Sequence, residues 1–292
     1  MSLFSGLEKF GLGNFKSEKV FDDGDDKPKE EPKEKAQTVS VSKEVPEEKD
    51  LVFAKKYVCP VCETSFTSLS VRTGKVHVKE QEIDLHPIYD IMDEIKYDVV
   101  ACPSCGYAAL ARYFDAVTKR QKDAIRQKIC MNYKPIERTY EIYTYDDALE
   151  RFQLALVNAI VKEAKPSEKA YLCLRYAWLI RQMLRDPETM ALPQYDDARK
   201  KEMAEEEKEL LKNALEGFVT AKQSESFPIA GMNTLTLDYL LAALYMENED
   251  YNHSMKLIGE ILVSRSASNH TKEKARDMKD MIEEKIKSKN EE

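Results

Sequence analysis

Two short cysteine motifs carry the clearest chemistry in this sequence. Cys59-Pro60-Val61-Cys62 and Cys102-Pro103-Ser104-Cys105 are both C-P-x-C turns. One such turn brings two sulfurs to a metal ion, and two turns complete a tetrahedral four-sulfur shell. We therefore predict that Cys59, Cys62, Cys102 and Cys105 bind one Zn²⁺. Iron in a rubredoxin-like site takes the same ligands and stays an open alternative.

The predicted metal is structural, because four thiolates close the coordination sphere, whereas a catalytic zinc keeps one position for water or substrate. Thiol redox chemistry at a single C-x-x-C is the alternative, and the second, similar motif argues against it. Gly106 follows the second motif, where a tight turn with amides aimed at sulfur is easier without a β-carbon. The other two cysteines, Cys130 and Cys173, stand alone on helical segments and are predicted to be buried apolar residues.

A second group of polar residues lies between the two motifs, in the segment from Glu82 to Tyr89. Two acids, His86 and a tyrosine occur together in this loop, and these residue types can do acid–base work. An enzyme using the Asp84–Tyr89 loop is therefore one hypothesis. Side chains that only tie the loop down are the commoner explanation, and no Ser-His-Asp or Cys-His set is placed together by the sequence.

A basic stretch follows the second cysteine motif. Residues 118–138 hold seven Lys and Arg against two acids, with Tyr133 among them. A basic helix beside a zinc ribbon could grip phosphates while tyrosines stack on bases. A solvated helix face is the alternative. The candidate nucleic-acid contacts are Lys119, Arg120, Lys122, Arg126 and Lys128.

The elements that position these residues differ along the chain. Residues 51–140 carry the strand signals, and Thr73-Gly74 between two alternating runs predicts a hairpin joining 69–71 to 76–78. This part is predicted to be a zinc-ribbon-like domain with a basic helix. Residues 141–292 have helical periodicity, and prolines separate the predicted helices. Those helices are 145–162, 167–185, 198–222, 232–247, 250–265 and 269–288.

The helical part contains an irregular internal repeat. Tyr145, Ala148, Phe152 and Ala155 share their spacing with Leu211, Ala214, Phe218 and Ala221, and more loosely with Tyr251, Ser254, Ile258 and Ile261. Small residues at the second position let a neighbouring helix approach closely. The pattern predicts a tetratricopeptide-like stack of helical hairpins, and a generic bundle is the alternative.

Residues 1–50 differ in composition from the rest. The first 15 include an apolar peptide, and residues 16–50 hold eight Lys, seven Glu, five Asp and three Pro. The charged stretch is predicted to be a disordered linker, because it cannot bury enough apolar surface to offset chain entropy. The peptide is predicted either to pack on the chain's own body or to dock a partner or a membrane surface.

Composition excludes several classes. The 292 residues carry a net charge of −8, so a globally cationic nucleic-acid coat is not expected, and the nine glycines form no phosphate-binding loop. The sequence has no apolar run of transmembrane length and no secretory signal pattern. We expect a cytoplasmic protein with reduced or metal-bound thiols.

Four motifs in order resemble a known bacterial family, domain of unknown function 2225. They are C-P-V-C-x3-F at 59–66, V-R-x2-K at 71–75, D-L-H-P-I-Y at 84–89 and Y-D-V-V-x-C-P-S-C-G-Y-A at 97–108. The resemblance implies a cytoplasmic bacterial protein with a cysteine metal site followed by helical, repeat-like structure, and it implies no activity. In that family a glycine usually follows the first motif, whereas this chain has Glu63 there. This difference puts in doubt that the first turn is free of strain.

The fold class expected is α+β, with a zinc-ribbon-like unit followed by a tetratricopeptide-like unit. The leading functional hypothesis is a zinc-binding adaptor whose helical half presents a groove to a protein or peptide partner. A nucleic-acid-binding, RNA-directed zinc-ribbon protein is the alternative, and the enzyme is the weaker one.

Overall fold

A computed structural model of the chain describes residues 9, 11, 46–135 and 138–291. Residues 16–45 of the predicted linker and most of the apolar N-terminal peptide lie outside the described residues. At its end the linker prediction is wrong, because a short helix begins at Glu48 and packs Leu51 into the interior. Of that peptide, Lys9 forms an ion pair with Glu150, and Gly11 lies against the backbone of Asn132, so these two positions contact the chain's own body.

The described elements follow the expected order of short strands and then long helices. The strands are β1 (Val52–Val58), β2 (Ser65–Val71), β3 (Val78–Gln81), β4 (Pro87–Tyr89), β5 (Val99–Ala101) and β6 (Ala108–Leu110). The helices are α1 (Glu48–Leu51), α2 (Lys119–Ile125), α3 (Tyr145–Val161), α4 (Pro166–Arg185), α5 (Pro187–Met190), α6 (Asp197–Ser224), α7 (Thr234–Glu247), α8 (Tyr251–Val263) and α9 (Asn269–Glu291). The protein is therefore of mixed α+β class.

The strands form three antiparallel pairs, β1 with β2, β3 with β4 and β5 with β6. Val58 pairs with Ser65, and Ala101 pairs with Ala108, so each cysteine motif is the turn of its own hairpin. The hairpin predicted at Thr73-Gly74 is wrong, because β2 pairs with β1 and the strand that follows the turn pairs with β4. Alternation of apolar residues identifies a strand but does not say which strand it pairs with.

The helices begin and end close to their predicted bounds, because local signals define them. Thr144 caps α3 in a reciprocal pair with Asp147, and the side chains of Asn233 and Asp250 cap α7 and α8. Pro166 occupies the first turn of α4, where its missing N–H costs nothing. In the basic stretch the helix is shorter than predicted: α2 passes into a π-helical turn at Arg126–Cys130, and the helix ends there.

The strand pairs and the helices share one hydrophobic core. α3 packs against β5 and β6 and also against α4, and α4 packs against α6. A continuous buried cluster extends from Cys59 and Val61 through these helices to Leu244. Because the cysteines belong to this cluster, the position of the metal motifs is coupled to the helical packing.

The last three helices pack on one another around a second cluster. Ser254 of α8 is fully buried and donates its hydroxyl to the carbonyl of Ala242 in α7 at 2.7 Å. Ser254 thus lies where α7 and α8 approach closely, and the tetratricopeptide-like repeat stays a prediction. No helix in the described part of the chain combines the length and the apolar character that a membrane span requires.

Candidate metal centre

The four predicted ligands converge on one point. Their sulfur atoms all lie within 4.8 Å of one another. The Sγ atoms of Cys59 and Cys105 are 3.6 Å apart, and so are those of Cys62 and Cys102. A Zn–S bond of about 2.3 Å gives a tetrahedral S–S edge of about 3.8 Å, whereas a disulfide needs about 2.05 Å. The spacing fits four thiolates around one metal ion and excludes disulfide pairing.

The two turns have the same backbone design. The amide of Cys62 donates to the sulfur of Cys59, and the amide of Cys105 donates to the sulfur of Cys102. The second sulfur of each motif accepts from the amide two residues further on, at Thr64 and at Tyr107. Amide donors stabilise thiolates, so each turn prepares its sulfurs for a cation.

The residue after each motif has a left-handed backbone. Gly106 has φ 74° and Glu63 has φ 64°. Glycine adopts this conformation readily, whereas a side chain with a β-carbon makes it costly. The doubt about the first turn was justified, since Glu63 takes the same conformation under strain. A β-carbon at Gly106 would also lie 2.4 Å from the ring of Tyr133, which packs directly on this turn.

One polar side chain from the helical region anchors each turn. Arg126 donates from Nε and Nη2 to the carbonyl of Val61, at 3.0 and 2.6 Å. Asn158 of α3 is fully buried and donates from Nδ2 to the carbonyl of Gly106 at 2.9 Å. Arg126 was predicted to be a nucleic-acid contact. In the structure its Nε and Nη2 donate to the first cysteine turn instead.

The thiols of the cluster strongly influence one another's pKa values. Hydrogen bonds with neighbouring thiols raise the pKa of Cys59 and of Cys102 to about 12. At Cys62 burial opposes ionisation, but the hydroxyl and amide of Thr64 outweigh it and lower the pKa to about 7. Several thiolates cannot coexist at these distances without a counter-charge. A divalent cation supplies that charge, which is why the donor set fits a metal ion.

Cys130 differs from its prediction as an isolated core residue. It is half-buried at the end of the π-helical turn, and its thiol is hydrogen-bonded to Cys105, a contact that lowers the pKa of Cys130. The centre therefore has a fifth thiol beside it. Cys173 is a fully buried residue of α4, as predicted, and burial raises its pKa.

The remaining basic candidates lie on α2 and, for Lys128, on the π-helical turn that follows it. Arg120 forms an exposed ion pair with Glu163, while Lys119 and Lys128 are exposed and Lys122 is half-exposed. These side chains are accessible to a polyanion, and their role as nucleic-acid contacts stays a prediction.

The loop Asp84-Leu85-His86-Pro87, hereafter the DLHP loop, is fastened to α4. Asp84 is 1% exposed and accepts hydrogen bonds from the indole of Trp178 at 2.9 Å and from Arg181 at 2.7 Å. His86 is 0% exposed and stacks on Trp178 with 5.3 Å between ring centroids.

Charge pairing completes this attachment. Glu82 accepts from Arg181, Arg185 and the ring of His86. Burial alone would raise the pKa of Glu82, but these hydrogen bonds outweigh it and hold the pKa at about 2. Burial also lowers the pKa of His86, so its imidazole is neutral near pH 7. Because Asp84 and His86 are sealed from solvent, the geometry favours the tie-down explanation over substrate chemistry.

Reasoning from the sequence missed the helical partners of both regions. Arg126 and Asn158 reach the metal turns, and Trp178 and Arg181 reach the DLHP loop, over separations of 52 to 97 residues. No motif signals these pairs. The tyrosine packed on Gly106 was noted only as a base-stacking candidate.

A mixed α+β protein with a buried four-cysteine centre suited to a metal ion is the class that the fold and the site define. The family described as an uncharacterized protein conserved in bacteria, DUF2225, matches residues 52–282, and the chain belongs to this family. The resemblance inferred from the four motifs is thereby confirmed. None of the curated proteins and none of the solved structures matches the chain.

Proposed function

We propose that the chain is a cytoplasmic zinc-stabilised adaptor. One structural Zn²⁺ is held by the four cysteines of a zinc-ribbon-like unit, and the unit is packed on a tetratricopeptide-like helical stack. The partner is a protein segment with basic side chains. The observation that carries the adaptor role is a large acid-lined cleft at the junction of the two units.

The structural role of the metal rests on where the sulfurs lie. Cys59 and Cys102 are fully buried and belong to the cluster that extends through α3 and α4. Four sulfurs would complete the shell of a zinc ion. A metal held there would fasten two hairpin turns to the helices, and its chemical contribution would be to the free energy of folding.

The acid-lined cleft has a volume of about 690 Å³. It lies between the loop after β4, the residues leading into α3, and the end of α4 with α5. Volumes of roughly 300 to 1,000 Å³ are typical of sites that enclose a ligand. A cleft of this volume has room for several side chains of a peptide.

Its charge selects the partner. The described residues that line the cleft include Lys96, which is paired with Glu48, and six acids. These acids are Glu48, Asp90, Asp93, Asp146, Asp186 and Glu188. Such a lining attracts lysine and arginine side chains and repels the phosphates of a nucleic acid.

Asp93 is a second, independent observation. Its Oδ1 caps the short helix at Glu94–Tyr97 by accepting from the amide of Ile95, while its Oδ2 is buried and accepts no hydrogen bond. Burial raises the pKa of Asp93 to about 7. An ammonium or guanidinium group bound in the cleft would provide a counter-charge to this carboxylate.

The metal is tested by elemental analysis and native mass spectrometry of the full chain. We expect one zinc per chain, and chelation should lower the thermal midpoint. Cys102→Ser should lose the metal. Cys130→Ser, a thiol beside the cluster, is the matched control and should keep it. Bound iron, absence of metal, or equal loss in the two variants would overturn the assignment.

The cleft is tested with a fluorescein-labelled octalysine peptide and fluorescence anisotropy. Asp90→Asn, Asp186→Asn and Glu188→Gln together should weaken binding about threefold to a hundredfold, because each fully or partly exposed charge contributes about 0.2 to 1 kcal/mol. The control neutralises Glu209, Glu216 and Glu260, exposed acids on α6 and α8, which changes net charge equally. Equal weakening in the two triple variants, or no binding by the wild type, would refute the proposed partner site.

A further inference from the structure

A second cavity lies on the other side of Pro87 from the acid-lined cleft. It has a volume of about 330 Å³ and is enclosed by the DLHP loop, α4, the turn before α7 and the start of α7. We call it the arginine cavity, because Arg112 and Arg175 lie in its wall. The volume is at the lower end of the range of small-molecule sites, so its occupant is a single small molecule.

The charge of the arginine cavity is opposite to that of the chain. Among the described residues that line it, Arg112 and Arg175 are charged and none is an acid, although the chain has a net charge of −8. Arg175 is already paired with Asp98, which does not line the cavity, so among the described residues Arg112 supplies the positive charge that no ion pair compensates, and this charge suits an anionic ligand. Arginine suits this purpose because its planar fork bonds carboxylate and phosphate oxygens in pairs.

Both guanidinium groups are held in place before any ligand arrives. Arg112 donates from Nη1 to the carbonyl of Ala230 at 3.1 Å and lies 5.2 Å from the ring centroid of Tyr171. Arg175 donates from Nε to Asp98 at 2.5 Å and lies 5.5 Å from the ring centroid of Trp178. Fixed side chains lose little conformational entropy on binding, which favours affinity.

Apart from Gln81 and Thr236, the rest of the wall is apolar or aromatic. Leu174 and Leu240 are almost completely buried, and the rings of Tyr171 and Trp178 complete this surface. The lining therefore places apolar and aromatic side chains beside the two arginines. Such a surface favours a ligand with a planar apolar body that carries an anionic group at one end.

We propose that the arginine cavity binds a small organic anion, in which a phosphate or carboxylate group sits on a planar apolar body. Arg112 and Arg175 bind the anionic group, and the body packs against Trp178 and the two leucines. This site is separate from the acid-lined cleft, and the proposal does not depend on the adaptor function.

The chain contains one tryptophan, and it is Trp178 of this wall. Binding is therefore measured by tryptophan fluorescence of the full, zinc-loaded protein. The probes are phenyl phosphate and benzoate, with inorganic phosphate and phenol as the separate parts. We expect a saturable change with at least one aromatic anion, which should bind at least about tenfold more tightly than either part, since both the charge and the ring contribute.

Three variants test the named residues. Arg112→Gln should weaken the anion about tenfold or more, whereas Arg120→Gln, an exposed arginine on α2, should leave it unchanged. Thr236→Phe should fill the cavity and abolish binding. It keeps the cap of α7, because Asn233 bonds the backbone amide of residue 236. Circular dichroism verifies folding of each variant.

Three results would overturn the proposal. The first is the absence of both a saturable fluorescence change and calorimetric heat with the two aromatic anions. The second is that phenol or inorganic phosphate binds as tightly as phenyl phosphate, since the site would then not recognise both the ring and the anionic group. The third is unchanged affinity in Arg112→Gln. A preference for phenyl phosphate or for benzoate identifies which anionic group the site takes.

Discussion

Replacing Glu63 by glycine should stabilise the protein, although it removes a side chain next to a metal ligand. Glu63 has φ 64°, and its amide donates to the carbonyl of Cys59 at 2.9 Å, a bond that glycine keeps. The side chain is exposed. Its removal therefore changes mainly the cost of the left-handed backbone.

The expected gain is the difference between two effects. Relieving a left-handed residue that carries a β-carbon is worth about 1 to 2 kcal/mol. The greater conformational freedom of glycine in the unfolded chain opposes this gain by about 0.4 to 1 kcal/mol. With both effects at the middle of their ranges, the net stabilisation is about 0.8 kcal/mol. For a protein of this size it corresponds to a rise of about 1 to 4 °C in Tm.

The measurement is the Tm of the zinc-loaded protein by calorimetry, at matched concentration and metal content. Glu63→Ala is the matched control, because alanine removes the carboxylate but keeps the β-carbon and the strain. Glu63→Gly should be more stable than Glu63→Ala, and Glu63→Ala should resemble the wild type. Equal Tm values for the two variants would refute the argument that backbone strain is stored at this turn.

The equivalent turn provides a change of opposite sign. Gly106→Ala introduces a β-carbon at φ 74° and 2.4 Å from the ring of Tyr133. Strain and overpacking together should cost about 2 to 4 kcal/mol. If Gly106→Ala were as stable as the wild type, the close packing of Tyr133 on the second turn would be wrong.

Three further predictions concern other parts of the molecule. Burial raises the pKa of Asp93 to about 7 from its ordinary 3.8, so the folded state binds more protons and the free energy of unfolding falls as pH rises from about 4 to about 7. Asp93→Asn should remove this fall. In urea titrations its free energy of unfolding should equal that of the wild type near pH 4 and be larger above pH 7. A constant difference between the two proteins at every pH would contradict the raised pKa of Asp93. Asp84→Ala leaves the buried indole N–H of Trp178 without its acceptor, while Arg181 keeps Glu82 and Glu207, so it should cost about 1 to 3 kcal/mol in the same assay. A loss below about 0.5 kcal/mol would count against the tie-down role. For the nucleic-acid alternative, a fluorescent RNA should bind at low salt, and its affinity should fall steeply as salt is added. Replacing Lys119, Lys122 and Lys128 by glutamine should weaken binding more than the same change at Lys208, Lys212 and Lys256. Negligible binding at low salt would remove this alternative.

The sequence was informative where structure depends on neighbouring residues. Helix bounds followed from caps and breakers such as Thr144 and Pro166, which act within one turn of the residues they affect. The cluster of four cysteines followed from spacing, because two residues between the cysteines of each motif already bring two sulfurs together, and the two matching motifs indicated one shared site. The resemblance to the family, in which a glycine usually follows the first motif, also marked Glu63 as a position of doubtful strain.

The sequence was uninformative where contacts join distant segments. It predicted a hairpin at Thr73-Gly74, yet β2 pairs with β1 across the first cysteine turn. Strand partners depend on chain closure between segments, and a local alternation pattern is compatible with more than one pairing. Cys130 was taken for an isolated core residue for the same reason, since its neighbour Cys105 lies outside its own helical segment.

By itself, then, the sequence determined the fold class, the helical segments, the family and the four cysteines of the metal centre. Only the tertiary structure decided which side chains anchor that centre, how Trp178 and Arg181 bury the DLHP loop, and where the two oppositely charged cavities lie. The physical reason is the separation along the chain over which each interaction acts. Caps, turns and metal-ligand spacing act over a few residues, whereas burial and charge pairing depend on packing between segments that the chain separates by 50 residues or more.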